Sequence, residues 1–226
     1  MKKIYSFLII EDHPIISNAY LSALDSVKLN NENLDFKKIG IAKNCDEAYS
    51  VINEAEKLNG VDIIFLDIQI PSSLDGKILS GEDLGVLIRE KLPKAKIIVS
   101  TMFNDNYRIY NIINAIKPEG FLVKNDLNAP VLTEAIEKIM ISPPYYSTTV
   151  LSSVLTQYAN REVVDEYDRK MMYELSRGVK MKDLPDIIPM SLAGLEKRKR
   201  HLKEIFNVDQ KEDRFLILAA KEKGFI

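Results

Sequence analysis

Four short apolar runs in this chain end on side chains suited to ionic chemistry. Phe65-Leu66-Asp67-Ile68 carries one run onto a carboxylate, and Phe7-Leu8-Ile9-Ile10 runs straight into Glu11-Asp12. If both runs are strands of one parallel sheet, three carboxylates meet at its carboxyl edge, where ligand sites of open α/β sheets form. Clustered acids raise one another's pKa, so the set calls for a neutralising cation, and an oxygen-seeking ion such as Mg2+ suits it. Two further runs, Ile97-Ile98-Val99-Ser100-Thr101 and Gly120-Phe121-Leu122-Val123-Lys124, close on hydroxyls and on an ammonium. Thr101 can donate a hydrogen bond, and Lys124 can pair as a compact charge with an anion carried on Asp67. Together these groups predict that Asp67 accepts a phosphoryl group. Taken alone, an acid at a strand end would more often cap the next turn, and a lone lysine would be a solvated charge; the full constellation favours chemistry.

The elements that must position these groups form an alternation. Strand-like runs near 5–10, 36–42, 62–66, 96–100 and 120–123 alternate with helical patterns such as Leu84, Leu87, Ile88 and Leu92. Five such units predict an α/β domain with a five-stranded, doubly wound parallel sheet, helices on both faces and right-handed crossovers. The last helix of the series runs to about Ile141, after which Ser142-Pro143-Pro144-Tyr145-Tyr146-Ser147 breaks the pattern, because prolines remove donors and favour extended backbone. The first domain is therefore placed at 1–141 and a partly helical linker at 142–165, with Tyr145 and Tyr146 as linker residues on a domain surface.

Residues 166–226 predict a second, smaller all-α domain, with breaks near Asn160, at Arg177-Gly178, at Ile188-Pro189 and at Asn207. Gly178 would end one helix and Ser191 would cap another. A short helix over Met181–Ile188, a tight turn and a helix from Ser191 to Phe206 have helix-turn-helix spacing. In the last of these, Leu192, Leu195, Leu202, Ile205 and Phe206 share a face, while Lys197, Arg198, Lys199, Arg200 and Lys203 lie mostly elsewhere. Seated in a major groove, such a helix brings cations to phosphates and base edges. Without that motif, the same charges would more often be a solvated face.

Acids, acceptor, hydroxyl and lysine in this order, each at a strand end, resemble the flavodoxin-like receiver domain of two-component response regulators. The resemblance spans 1–141. It implies Glu11 and Asp12 as a metal-binding pair, joined by Asp67 and the Gln69 backbone carbonyl around Mg2+. Asp67 would be the phosphoacceptor of a sensor histidine kinase, Thr101 the switch hydroxyl, Lys124 the phosphate-pairing lysine, and Phe121 an aromatic that turns inward when Thr101 moves. The loop 71–82 is longer than the pattern requires; covering the metal site and contacting the kinase are both open roles for it.

The segment from Asp168 to Ile226 resembles the LuxR-type output domain of the NarL subfamily. That resemblance rests on Met172 and Leu175 before Gly178, on Leu184 and Ile188, on Leu195, Leu202 and Phe206, and on a closing helix around 215–220. Departures are Arg198 where histidine is common, Pro185 inside the first helix of the motif, and the acid-rich Asp209–Asp213 connection. The resemblance implies double-stranded DNA as a partner and a homodimer in the phosphorylated state. Lys197 and Arg200 are the expected base contacts, with Arg198 and Lys199 at phosphates or packed at the rim. The whole is then a phosphorylation-switched transcription regulator and not a turnover enzyme.

Composition sets bounds on these readings. The chain has 226 residues, 46% apolar and 28% charged, with a single cysteine, Cys45, which excludes an internal disulfide framework and is expected to be packing or surface. No long apolar run predicts a membrane span, and the N-terminus enters the first strand without a signal peptide, so the expected compartment is the cytoplasm. The net charge of -2 hides an asymmetry: residues 1–165 carry 17 Lys+Arg against 22 Asp+Glu, and 166–226 carry 14 against 11. The positive second half favours an anionic partner. His13, beside two acids, is expected to face solvent at the start of the first helix. A phosphatase of the haloacid-dehalogenase type would also use a strand-end aspartate and Mg2+, but Gln69 stands where its general acid is needed and cannot protonate a leaving group. A third reading keeps the receiver and gives the helical domain a protein or RNA partner.

Overall fold

The computed structural model describes residues 2–58, 60–159, 164–222 and 224–226. Its strands are β1 (Lys3–Ile10), β2 (Leu34–Ala42), β3 (Ile63–Asp67), β4 (Lys96–Thr101), β5 (Gly120–Val123) and β6 (Tyr145–Tyr146). They form one parallel sheet in the order β2-β1-β3-β4-β5-β6. Helices α1 (Pro14–Asn30), α2 (Cys45–Leu58), α3 (Gly81–Lys91), α4 (Asn106–Ile116) and α5 (Ala129–Ile141) follow β1 to β5 in turn.

The sheet has six strands where the sequence predicted five. The added strand is the Tyr145-Tyr146 pair, placed by the sequence reading in the linker. The prolines before it cannot donate, yet Tyr145 N donates to Glu119 O at 3.0 Å and Ser147 N to Phe121 O at 2.9 Å. Alternate donors just past the prolines thus reach the exposed edge of β5, and two residues are too short a run for a periodicity signal.

Burial explains why these runs are strands of this kind of sheet. Every residue of β3 is buried, as expected for a parallel strand covered on both faces. On one face Phe7, Ile9, Phe65, Ile98 and Leu122 pack with Leu24 of α1 and Leu132 and Ile136 of α5. Fully burying each such side chain contributes about 1.5–3 kcal/mol. Helix starts are marked by side-chain caps: Ser80 accepts from Glu82 N ahead of α3, and Asn128 accepts from Val131 N ahead of α5.

The remaining helices are α6 (Thr148–Ala159), α7 (Glu166–Ser176), α8 (Leu192–Ile205) and α9 (Asp213–Glu222). Asp165 and Asp168 form a capping box at the start of α7. At its end Gly178, with φ +91°, donates to Leu175 O while Val179 donates to Glu174 O, which is a Schellman motif. The short helix expected over Met181–Ile188 is a 3-10 segment, Met181–Asp186. Pro185 explains the difference. It removes an interior donor, and the chain restarts at Leu184, whose carbonyl accepts from Ile187 and Ile188. Pro185 thus opens a new turn, where a missing N–H is harmless. Ser191 caps α8 by accepting from Gly194 N, and Asn207 ends it at φ +56°. Met171, Met172, Leu184, Ile188, Leu195, Leu202, Phe206 and Leu216 form the core of these helices. The break expected near Asn160 lies outside the described residues.

The chain divides into two compact units, one running to Phe103 and including Ile112–Val150, the other made of Asn104–Asn111 and Leu151–Ile226. β6 and the first residues of α6 therefore fall in the first unit. Among the described residues no helix is long and apolar enough to cross a membrane.

Candidate functional site

Because the strands are parallel, β1, β3 and β5 deliver their last residues to one edge of the sheet. Glu11 and Asp67 are each 1% exposed there. Lys124, immediately after β5, places Nζ 2.8 Å from Glu11 Oε2 and 2.6 Å from Asp67 Oδ2. The second oxygens are also held: Gln69 N donates to Asp67 Oδ1 at 2.9 Å, and His13 N donates to Glu11 Oε1 at 3.2 Å. Burial works against the Lys124 ammonium, but its hydrogen bonds to Asp67 and Glu11 outweigh it and hold its pKa above the ordinary lysine value. Burial pushes Glu11 upward, aided by the Asp67 charge and opposed by Lys124.

Glu11, Asp12, His13 and Asp67 each offer one ligand atom, all within 4.8 Å of one another. Asp12 Oδ1 is buried and accepts no hydrogen bond; His13 Nδ1 lies 2.7 Å away without hydrogen-bonding geometry. A buried carboxylate oxygen left without a donor, next to two further acids, is the donor set a hard divalent cation fits. His13 is solvent-exposed as expected, but its Nδ1 also lies 3.1 Å from Glu11 Oε1, so it borders the cluster that the sequence reading left it out of. Its position next to Glu11-Asp12 was the available signal. Gln69 reaches Asp67 through its backbone N–H.

Thr101 closes β4, fully buried, and its Oγ1 accepts from Phe103 N at 3.3 Å. Phe121 is fully buried. The expected inward turn therefore has no outward ring to start from in this structure; Ser147, just past the neighbouring β6, already donates its N–H to the Phe121 carbonyl.

Ser17 and Tyr20, hydroxyls that sequence reasoning passed over, are buried, as is Ser100, which was read only as a strand-end hydroxyl without a role. Ser100 is the register partner of Asp67, and Tyr20 stacks on Phe65 with ring centroids 4.6 Å apart. Burial raises the Tyr20 pKa, opposed by a hydrogen bond with Ser100 and aided by the Glu11 and Asp67 charges. Tyr20 was legible only as a core position of α1. Gly81 was also missed: a Cβ there would lie 2.1 Å from the Asp67 carbonyl oxygen. Only glycine lets α3 start this close to the end of β3.

The long loop 71–82 folds onto the start of α2. Cys45 N donates to Pro71 O at 2.9 Å, Leu74 N to Asp46 Oδ2 at 3.0 Å, and Ser73 N closes on Ile78 O at 2.8 Å. Cys45 is buried as a packing residue, and burial raises its thiol to about 11.

In the helical unit the four cations expected at nucleic acid separate into two pairs. Arg198 Nη1 lies 2.6 Å from Asp165 Oδ2 and 2.9 Å from Asp168 Oδ1, tying α8 to the cap of α7. Lys199 and Lys203 hold Asp213 at 2.8 and 2.7 Å. Arg198 and Lys199 are thus engaged within the protein, whereas Lys197 and Arg200 are exposed and have no ion-pair partner among the described residues. Signals for these pairs were present only as acids distant in sequence.

No protein-family model matches the chain. It is 20% identical over 219 residues to the oxygen regulatory protein NreC of Staphylococcus epidermidis, covering 91% of this chain and 93% of that protein. RcsB of Salmonella enterica serovar Typhimurium, solved bound to promoter rprA in the presence of phosphomimetic BeF3-, aligns over 95% of this chain and 97% of its own with a TM-score of 0.61 and 16% identity. A structure of two RcsB dimers bound to two parallel DNAs aligns over 98% and 99%, with a TM-score of 0.60 and 17% identity. These likenesses establish the fold over both units.

Proposed function

We propose that this chain is a two-component response regulator, in which phosphorylation of Asp67 by a sensor histidine kinase gates DNA binding by the helix-turn-helix and hence transcription. The observation that carries the reading is the Lys124 ammonium held between Glu11 and Asp67 at the ends of parallel strands. The likeness to RcsB solved on promoter DNA with a phosphomimetic supports it.

Asp67 Oδ2 is the nucleophile. It forms a bond to the phosphorus of a phosphohistidine while the phosphorus–nitrogen bond breaks and the electron pair returns to the imidazole. Lys124 then exchanges its contact with Asp67 for the new phosphoryl oxygens, and Thr101 donates its hydroxyl to them. Glu11, Asp12, Asp67 and the Gln69 carbonyl would hold Mg2+, which would supply charge neutralisation during transfer. Thr101 is the switch hydroxyl, moving against the already buried Phe121 ring and biasing a two-state equilibrium of the receiver. One transfer per phosphoryl donor, without steady turnover, distinguishes this from a phosphatase. The active form is a homodimer acting on duplex DNA in the cytoplasm.

Lys197 and Arg200 contact DNA through the exposed face of α8. Duplex binding at two salt concentrations, with and without beryllofluoride and Mg2+, tests the output. Selective binding that strengthens with the mimic, weakens with salt and disappears in Lys197→Ala/Arg200→Ala is expected. Absence of selective duplex binding in either state would move the output to a protein or RNA partner.

A further inference from the structure

α8 presents a second feature that the cation pattern does not explain. Ala193, Glu196, Lys197, Arg200 and Glu204 are all exposed, at spacings of three and four that put them on one stripe opposite buried Leu195 and Leu202. Within this stripe, next to Lys197 in sequence and one turn before Arg200, stands the Glu196 carboxylate. It has no ion pair or hydrogen bond among the described residues, even to Arg200 at i+4. The acids that hold Arg198 and Lys199 are instead Asp165, Asp168 and Asp213, away from this stripe.

An unpaired carboxylate is unfavourable on a surface offered to a polyanion, since it repels phosphates and reduces the non-specific term of binding. In a major groove that repulsion is offset where the carboxylate meets a hydrogen-bond donor on a base edge. In the major groove those donors are exocyclic amino groups, and the one that glutamate characteristically accepts from is cytosine N4. Lys197 and Arg200, which follow it along the helix, are suited to guanine O6 and N7.

We propose that Glu196 is the specificity-determining residue of the helix, accepting from the amino group of one cytosine in a half-site whose neighbouring guanines are read by Lys197 and Arg200. This rests on the DNA-binding reading above. Glu196 trades overall affinity for selectivity at one base pair, because the carboxylate penalises every register in which no amino group faces it.

The test is selection from a random-sequence duplex DNA library by the full-length chain with Mg2+ and beryllofluoride, for wild type, Glu196→Ala and Glu196→Gln. Melting curves serve as the folding control for these exposed substitutions. Wild type should require cytosine at one position of each half-site. Glu196→Ala should lose that preference, roughly 5- to 150-fold, keep the guanine preferences, and bind unrelated duplex more tightly. Glu196→Gln should move the preference at that position toward adenine, whose N6 and N7 suit an amide. If both variants gain affinity uniformly and retain the wild-type base preferences, Glu196 is only a surface charge and the proposal is overturned, with the DNA-binding reading intact. If wild type itself selects no sequence, the DNA-binding reading fails and takes this proposal with it.

Discussion

Lys124 crosses the end of β4 to place Nζ 2.6 Å from Asp67 Oδ2, joining strands that are not neighbours in the sheet. Its side chain is 6% exposed and also bonds Glu11, so one ammonium compensates two buried carboxylates.

Lys124→Ala leaves both acids buried without that partner. Breaking a buried pair in this way costs about 3–5 kcal/mol. The loss should appear in urea denaturation in metal-free buffer, and millimolar Mg2+ should recover part of it by neutralising the same carboxylates. A variant as stable as wild type in both conditions would mean that the lysine is not the compensating charge.

Gly81→Ala tests the close approach of α3 to the end of β3. The added methyl would meet the Asp67 carbonyl oxygen at 2.1 Å and Ile68 Cα at 2.7 Å, both backbone atoms that cannot rotate away. A loss of about 1–3 kcal/mol is expected, as for overpacked cores, together with slower phosphoryl uptake at Asp67. Unchanged stability would show that the start of α3 is free to shift.

Asp213 gives the helical unit a pH dependence. Although burial works against its carboxylate, Lys199 and Lys203 hold its pKa below the ordinary value of 3.8. A depressed carboxylate contributes its full stabilisation above the unfolded-state value and loses it as pH falls through the lower folded-state value. Asp213 is 45% exposed in these pairs, so screening limits the contribution to about 1 kcal/mol or less. Asp213→Asn should therefore melt lower than wild type at neutral pH, and the gap should close below pH 3.8. A gap that persists unchanged into that acid range would assign the effect to packing.

Much of the α/β unit was legible because each chemical group terminates a strand whose apolar run is continuous, so periodicity and chemistry mark the same positions. Asp67, Glu11, Asp12 and Lys124, which the structure brings together, were read in this way, as was Thr101 at the end of β4. What sequence could not give were contacts between groups distant along the chain. Asp126, for example, accepts from Ser147 Oγ at 2.6 Å and from Thr149 N and Oγ1 at 2.9 and 2.8 Å, fastening the chain after β6 to the turn that follows Lys124. That fastening supports a strand of two residues which composition marked as linker. Likewise, a basic run reads as one surface until Asp165, Asp168 and Asp213 withdraw Arg198 and Lys199 from it.

The most direct test of the account is intact-mass analysis after incubation with a small acyl phosphate and Mg2+, for wild type and Asp67→Asn. Wild type should gain one phosphoryl group that hydroxylamine removes, as an acyl phosphate requires, and Asp67→Asn should gain none while keeping the wild-type fold. A stable phosphoryl adduct on Asp67→Asn, or none on wild type under conditions where Mg2+ stabilises the protein, would contradict the assignment of Asp67 as the acceptor.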